Sequence, residues 1–192
     1  MTNSLQHWFQ KAQPFAAYIS SGTPDQHASW KRFDDHSRGV SPITPEQRSL
    51  LASFTRRTNV LVLGGLWCGD CVHQCPLFEQ LAEINREAID LRFIDRDAAA
   101  ELSDRYMICG GRRVPTVLFL NEDFEFVSLL GDRSLTRYRA MAAKQLGASC
   151  PLPGAPVPAD EIAATRQDWL DEFERVQLIL RLSPKLRQRH GD

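Results

Sequence analysis

Between Asn59 and Leu146 the apolar positions alternate between short continuous runs and stripes at helical spacing. Val60-Leu61-Val62-Leu63 is an unbroken run of β-branched and leucine side chains bounded by Asn59 and Gly64-Gly65, the pattern of a strand buried on both faces. A helix is expected from about Gly69 to Arg86, a strand from Leu91 to Asp95 and a helix from Ala98 to Tyr106. Strand-helix-strand-helix order implies a crossover in a partly parallel sheet. Thr116 to Leu120 and Phe124 to Leu129 are apolar runs separated by Asn121-Glu122-Asp123, which reads as an antiparallel hairpin. Ser134 can cap a further helix, with Leu135, Tyr138, Ala142 and Leu146 on one face and Gly147 ending it.

The flanks have a different texture. Residues 1–58 form an N-terminal extension rich in aromatics, with Trp8, Phe9, Phe15, Tyr18, Trp30 and Phe33 among polar residues, so short helices packed on the core are expected. Turn signals fall at Ser21-Gly22-Thr23-Pro24 and Ser41-Pro42, and Thr44-Pro45-Glu46-Gln47 is a capping box with proline at the first helical position. Residues 59–147 make the α/β core and 148–158 a proline-rich connector. Residues 159–192 hold a helix to about Leu182 and a basic tail. That helix places Ile162, Trp169, Phe173, Val176 and Leu180 on one face, the stripe of a helix docked on its own domain, with a partner-binding helix as the alternative.

The 192 residues carry 23 Lys plus Arg against 24 Asp plus Glu, so charge points to neither nucleic acid nor an acidic membrane as partner. The longest apolar stretch, Val60 to Cys68, is far short of the about 20 residues of a spanning helix, and the start offers no export signal. A cytoplasmic location is expected. Five cysteines, two of them as Cys-x-x-Cys, favour redox chemistry or metal over structural bridges.

Trp67-Cys68-Gly69-Asp70-Cys71 sits where the first strand ends and its helix begins, the end of an open sheet at which chemistry is usually placed. There the free N–H groups and dipole of the helix stabilise an anion, so Cys68 is expected to be an exposed thiolate at neutral pH. Cys71, about one turn on, can attack a mixed disulfide formed at Cys68. Gly69 leaves the approach open, and Trp67 supplies a flat wall. Asp70 stands between the sulfurs and disfavours a thiolate there, an effect that shrinks if Arg112 or Arg113 pairs with it. Zinc is the alternative, with Cys75 as third ligand and Cys109 or His73 as fourth. Against it, Cys75 shares a helical face with Phe78 and Ala82, as a small core residue does. His73 reads as a solvated helix residue; Cys109 and Cys150 are singletons, and Cys109 reads as an inert thiol, with a third redox partner as the alternative.

From about Asn59 to Gly147 the chain resembles the thioredoxin family in motif, element order and spacing. Trp67-Cys68-Gly69-Asp70-Cys71 looks like its active-site motif, Pro76 like the proline of its active-site helix, and Val114-Pro115-Thr116 like its cis-proline segment. Gly131 falls where the family has a glycine lining the substrate groove. The aspartate-containing motif, Arg96-Asp97, Gly110-Gly111 and Glu122-Asp123 resemble a bacterial subgroup with extensions. The resemblance implies a thioredoxin-like α/β fold with helices on both faces of a mixed sheet. It implies disulfide exchange with Cys68 as nucleophile, Cys71 as resolving thiol, and Trp67, Gly69, Asp70, Arg113, Val114, Pro115, Thr116 and Gly131 around the substrate. The substrate is then a protein or small-molecule disulfide, with an external reductant and no bound cofactor or metal. A redox-regulated binding module is the second hypothesis. Two departures stand out: Val62 replaces the family's buried aspartate, and Arg113 stands where thioredoxin has glycine.

Overall fold

The computed structural model describes residues 4–146 and 160–191; Gly147, the connector, Cys150 and Ala159 lie outside the described residues. A four-stranded sheet runs in the order β2-β1-β3-β4, with β1 Thr58–Gly64, β2 Ile89–Asp95, β3 Thr116–Leu120 and β4 Phe126–Gly131. β1 pairs parallel with β2 and antiparallel with β3, and β3 pairs antiparallel with β4. Every residue of β1 is buried, as a strand with neighbours on both sides and helices on both faces must be.

Because strand side chains alternate in direction, the continuous run divides between two cores. Val60 and Val62 join Phe93, Val117 and Phe119 in one cluster, while Leu61 and Leu63 join Leu118 and Leu120 in the other. The second is closed by Trp8 and Phe9 of α1 (Leu5–Lys11) and Leu102 of α6 (Ala100–Arg105). The first is closed by α2 (Phe15–Ser20), α3 (Pro24–Val40), α4 (Pro45–Ala52), α5 (Gly69–Ile84) and α8 (Glu161–Leu182). Trp30 and Trp169 are fully buried there, so both flanks belong to the same core as the sheet. Each indole removes about 150–250 Å² from water. Arg166 adds a polar tie: its buried guanidinium donates to Gln80 Oε1 at 3.0 Å and Ser41 Oγ at 3.2 Å, joining α8 to α5 and the extension.

Several boundaries differ from the sequence expectation, each for a local reason. Ser21-Gly22-Thr23-Pro24 is not only a turn: Thr23 and Gln26 form a capping box that starts α3, a 17-residue helix rather than a short one. The helix expected from Ala98 starts at Ala100, because Asp95 Oδ1 accepts from the N–H groups of Asp97 and Ala98 and holds them as a turn. β4 starts at Phe126 rather than Phe124, because Asn121 Oδ1 accepts from the N–H groups of Asp123 and Glu125 and Phe124 takes a φ of 61°. The basic tail contains a helix, α9 Pro184–His190, capped by Ser183 and ended by left-handed Gly191. α7 (Leu135–Leu146) follows β4 as expected, and α8 docks through Trp169, Phe173, Val176 and Leu180. No helix among the described residues is long and apolar enough to cross a membrane.

Candidate active site

Cys68 is the N-cap of α5, with extended backbone at φ −85° and ψ 119°, and its sulfur accepts from the Cys71 N–H at 3.4 Å. The Cys68 thiol in turn faces the Val114 carbonyl at 3.5 Å. The Val114-Pro115 peptide is cis, as the resemblance implies. The segment is fixed from both sides: Thr116 Oγ1 donates to the Arg113 carbonyl at 2.8 Å, and Gly131 lies directly against Pro115. Cys68, Cys71, Val114, Pro115, Thr116 and Gly131 therefore come together as the sequence places them.

Gly131 has no room for a side chain. A Cβ there would stand 2.5 Å from the Pro115 carbonyl oxygen and 3.0 Å from the Thr116 Cα, both backbone atoms that cannot swing aside. Gly131→Ala is expected to cost about 1–3 kcal/mol, read as a lower urea midpoint, with displacement of the proline segment. Gly69 has nothing within 4 Å of its would-be Cβ, so the approach over it is open.

The expected state of Cys68 needs correction. Cys68 is 8% accessible and Cys71 is fully buried. The hydrogen bond with the Cys71 side chain and burial both push the Cys68 thiol well up, against the downward pull of the Cys71 and Asp70 N–H groups. Burial likewise pushes the Cys71 thiol up, although Cys68 and the Gly65 N–H favour its anion. Two N–H groups do not outweigh loss of water around a shared pair of sulfurs, so the reduced site rests as a dithiol.

Asp70 lies in the first turn of α5, and its partners are not Arg112 or Arg113. Arg133 reaches Asp70 Oδ2 at 2.5 Å and Arg137 reaches Oδ1 at 3.1 Å. Arg112 instead grips Asp104 with two bonds of 2.6 and 2.7 Å. Arg113 pairs with Asp132 at 3.3 Å, and Arg133 also contacts Asp132 at 2.8 Å. Burial works to raise the Asp132 carboxyl, yet the Tyr138 hydroxyl, its own N–H, Arg113 and Arg133 outweigh it and hold it below the usual range. Gln74, on the inner face of α5, fixes this loop by donating to the Asp132 carbonyl at 3.0 Å and accepting from the Ser134 N–H at 3.0 Å. Asp132, Arg133, Arg137 and Gln74 were not singled out by sequence reasoning. The available signal was the charged Asp132-Arg133 pair next to Gly131.

Trp67 is 55% exposed, and the Arg96 guanidinium lies 4.6 Å from its ring centre, so one face of the expected wall is a cation–π stack. His73 is exposed on the outer side of α5, against the Gly69 carbonyl and edge-on to Phe33. Cys75 is fully buried and Cys109 exposed. Among the described residues no group of three or more His, Cys, Asp or Glu is arranged to hold a metal ion.

This fold, with Cys-x-x-Cys at the start of the helix after the first core strand and a cis-proline segment against it, defines a thioredoxin-like protein. A family model described as Thioredoxin matches residues 12–144, and the chain belongs to that family. No curated protein matches the chain. A crystal structure of a protein of unknown function from Pseudomonas aeruginosa is similar, with a TM-score of 0.69 and 19% identity over 90% of this chain and 96% of that one. An HIV epitope-scaffold crystal structure is similar with a TM-score of 0.61 and 21% identity over 92% of this chain and 94% of that one. These two likenesses concern the fold.

Proposed function

We propose that the chain is a thiol-disulfide oxidoreductase, acting in the cytoplasm to reduce disulfides of a protein or small molecule at the expense of an external reductant. The observation that carries the reading is the position of the Cys68 sulfur, 3.5 Å from the carbonyl before the cis-proline and held by the Cys71 N–H. Cys68 attacks the substrate disulfide and takes one sulfur as a mixed disulfide. Cys71 then attacks Cys68, closing the internal disulfide and releasing the second substrate thiol, so two electrons pass to the substrate. A dithiol whose anion is not favoured gives a reduced form with no special stability, which suits a reductant rather than an oxidant. The aspartate-containing motif supports a place in the bacterial subgroup with helical extensions. The test is reduction of insulin with dithiothreitol: the protein should bring aggregation of the freed B chain forward in proportion to its concentration. A rate equal to dithiothreitol alone would overturn the reading.

A redox-regulated binding module is the second reading, favoured by the low accessibility of Cys68. It predicts stoichiometric oxidation with no turnover in the same assay.

Asp70 then acts on the potential weakly. Two guanidiniums already neutralise its carboxylate, and Asp70→Asn would leave their charge uncompensated at the first turn of α5, favouring the thiolate and hence the reduced state. The potential, read by thiol labelling in glutathione buffers, is expected to rise by roughly 10 mV. A fall would contradict this electrostatic account.

A further inference from the structure

Arg96 and Asp97 form a charged pair in the chain that the exchange chemistry leaves unused. Their contact is 3.4 Å long with the carboxylate 63% exposed, an arrangement worth little in water. The rest of Arg96 is held more firmly. Its N–H donates to the Gly64 carbonyl at 2.9 Å, at the end of the strand that leads into Trp67 and Cys68, and its own carbonyl accepts from Ser103 Oγ at 2.8 Å. The guanidinium lies 4.6 Å from the Trp67 ring centre, and its Nη1 donates to the Arg112 carbonyl at 2.9 Å. A planar guanidinium can stack through its face and donate through its edge at once, which an ammonium cannot.

Both partners of that guanidinium border the reactive sulfur. Trp67 precedes Cys68 in the chain and is the exposed tryptophan of the four, its indole lying against Gly65, where a Cβ would stand 2.8 Å from Trp67 Cε2. Arg112 opens the segment Arg113-Val114-Pro115, whose Val114 carbonyl stands 3.5 Å from the sulfur. The loop before that segment is tight: Ile108 and Gly111 exchange backbone hydrogen bonds of 3.0 and 3.1 Å, with Cys109 and Gly110 at positive φ between them. Such a turn keeps its own shape, and the Arg112–Asp104 pair ties it to α6. Arg96 adds the tie to Trp67, because one head group touches the indole and the loop together.

We propose that Arg96 is a positioning residue for the exchange reaction: it fixes the exposed Trp67 indole and the 112–115 segment at a set separation across the Cys68 sulfur, so that a polypeptide disulfide meets two walls already in place. The inference rests on the exchange reading. The role needs no contact with either sulfur, and no proton or electron passes through Arg96. It acts by sparing the entropy of ordering both walls when a substrate binds. Its loss therefore weakens the hold on a large substrate and leaves the attack of Cys68 on a small disulfide as it was.

The test is Arg96→Met, which keeps the apolar stem and removes both contacts, beside Arg96→Lys, which keeps the charge. With insulin as substrate, Arg96→Met should raise KM roughly 5-fold at unchanged kcat, the scale of one exposed cation–π stack and one charge-assisted hydrogen bond. Arg96→Lys should fall between it and the unaltered protein. Stopped-flow attack of Cys68 on the small, uncharged disulfide dithiodipyridine should keep its rate in both. Acrylamide quenching of tryptophan fluorescence reports Trp67, since Trp8, Trp30 and Trp169 are buried, and it should be stronger in Arg96→Met. An unchanged insulin KM in folded Arg96→Met, or a dithiodipyridine reaction slowed as much as insulin turnover, would overturn the proposal. If Arg96→Met does not fold, the same comparisons are read on Arg96→Lys. An unaltered protein with neither insulin turnover nor reaction with dithiodipyridine would instead remove the exchange reading, and equal quenching in the variants would then overturn the placement of Trp67 by Arg96 as well.

Discussion

Cys68→Ser is expected to bring insulin reduction down to the rate of dithiothreitol alone, a loss on the order of 1000-fold or about 4 kcal/mol of barrier lowering. The hydroxyl keeps the cap on the Cys71 N–H, so α5 stays formed and the loss belongs to the sulfur. Cys71→Ser should fail differently. Cys68 still attacks, no second thiol resolves the adduct, and the partner stays bound until dithiothreitol frees it. Mass spectrometry of intact Cys71→Ser protein after exposure to oxidised glutathione should show one glutathione per chain, and Cys68→Ser none. An adduct on Cys68→Ser would move the nucleophile to another cysteine, with exposed Cys109 the first to examine.

What could be read from the sequence was what depends on neighbours along the chain. Val60-Leu61-Val62-Leu63 has the pattern of a strand covered on both faces, and the Cys-x-x-Cys that follows it falls where the next helix begins. Val114-Pro115-Thr116 was legible because a motif carries its conformation with it. The counter-ions of Asp70 were not legible, since Arg133 is 63 residues away and Arg137 is 67, and only the pairing of β4 with β3 returns that loop to the site. Arg112 and Arg113 looked nearer because they adjoin the proline segment, but Asp104 and Asp132 claim them first.

The protonation of Cys68 was misjudged for a related reason. A helix N-terminus is visible in a sequence, whereas the depth at which the fold buries it is not. Here α2 and α3 from the extension and α8 from the C-terminal side pack into the core that holds the two sulfurs, and desolvation outweighs the dipole. α9 was missed although Ser183-Pro184 is a proper helix start, because a seven-residue helix rich in charge leaves no apolar stripe to detect.

Raised thiols make stability depend on pH in a way that distinguishes a buried dithiol from an activated thiolate. An unfolded cysteine ionises near pH 8.5, while Cys68 and Cys71 stay protonated in the folded protein to higher pH. Between those limits the folded state holds more protons than the unfolded one, so the free energy of unfolding falls as pH rises. The contribution is intact below about pH 8 and is lost above it. Each thiol contributes at most about 1.4 kcal/mol per pH unit over the range where it is ionised unfolded and protonated folded. The oxidised protein has no such thiols and serves as the reference, cancelling Tyr18 and every other group common to both forms. Urea unfolding of reduced and oxidised protein from pH 7 to pH 10 should therefore show the reduced form losing ground steadily above pH 8. A thiolate held by the helix N-terminus predicts the reverse: a native pKa below 8.5 makes the reduced form gain on the oxidised one as pH climbs from the native to the unfolded value, after which the difference levels off. A reduced form that gains stability between pH 7 and pH 8.5 would mean that the N–H groups of Cys71 and Asp70 outweigh burial after all.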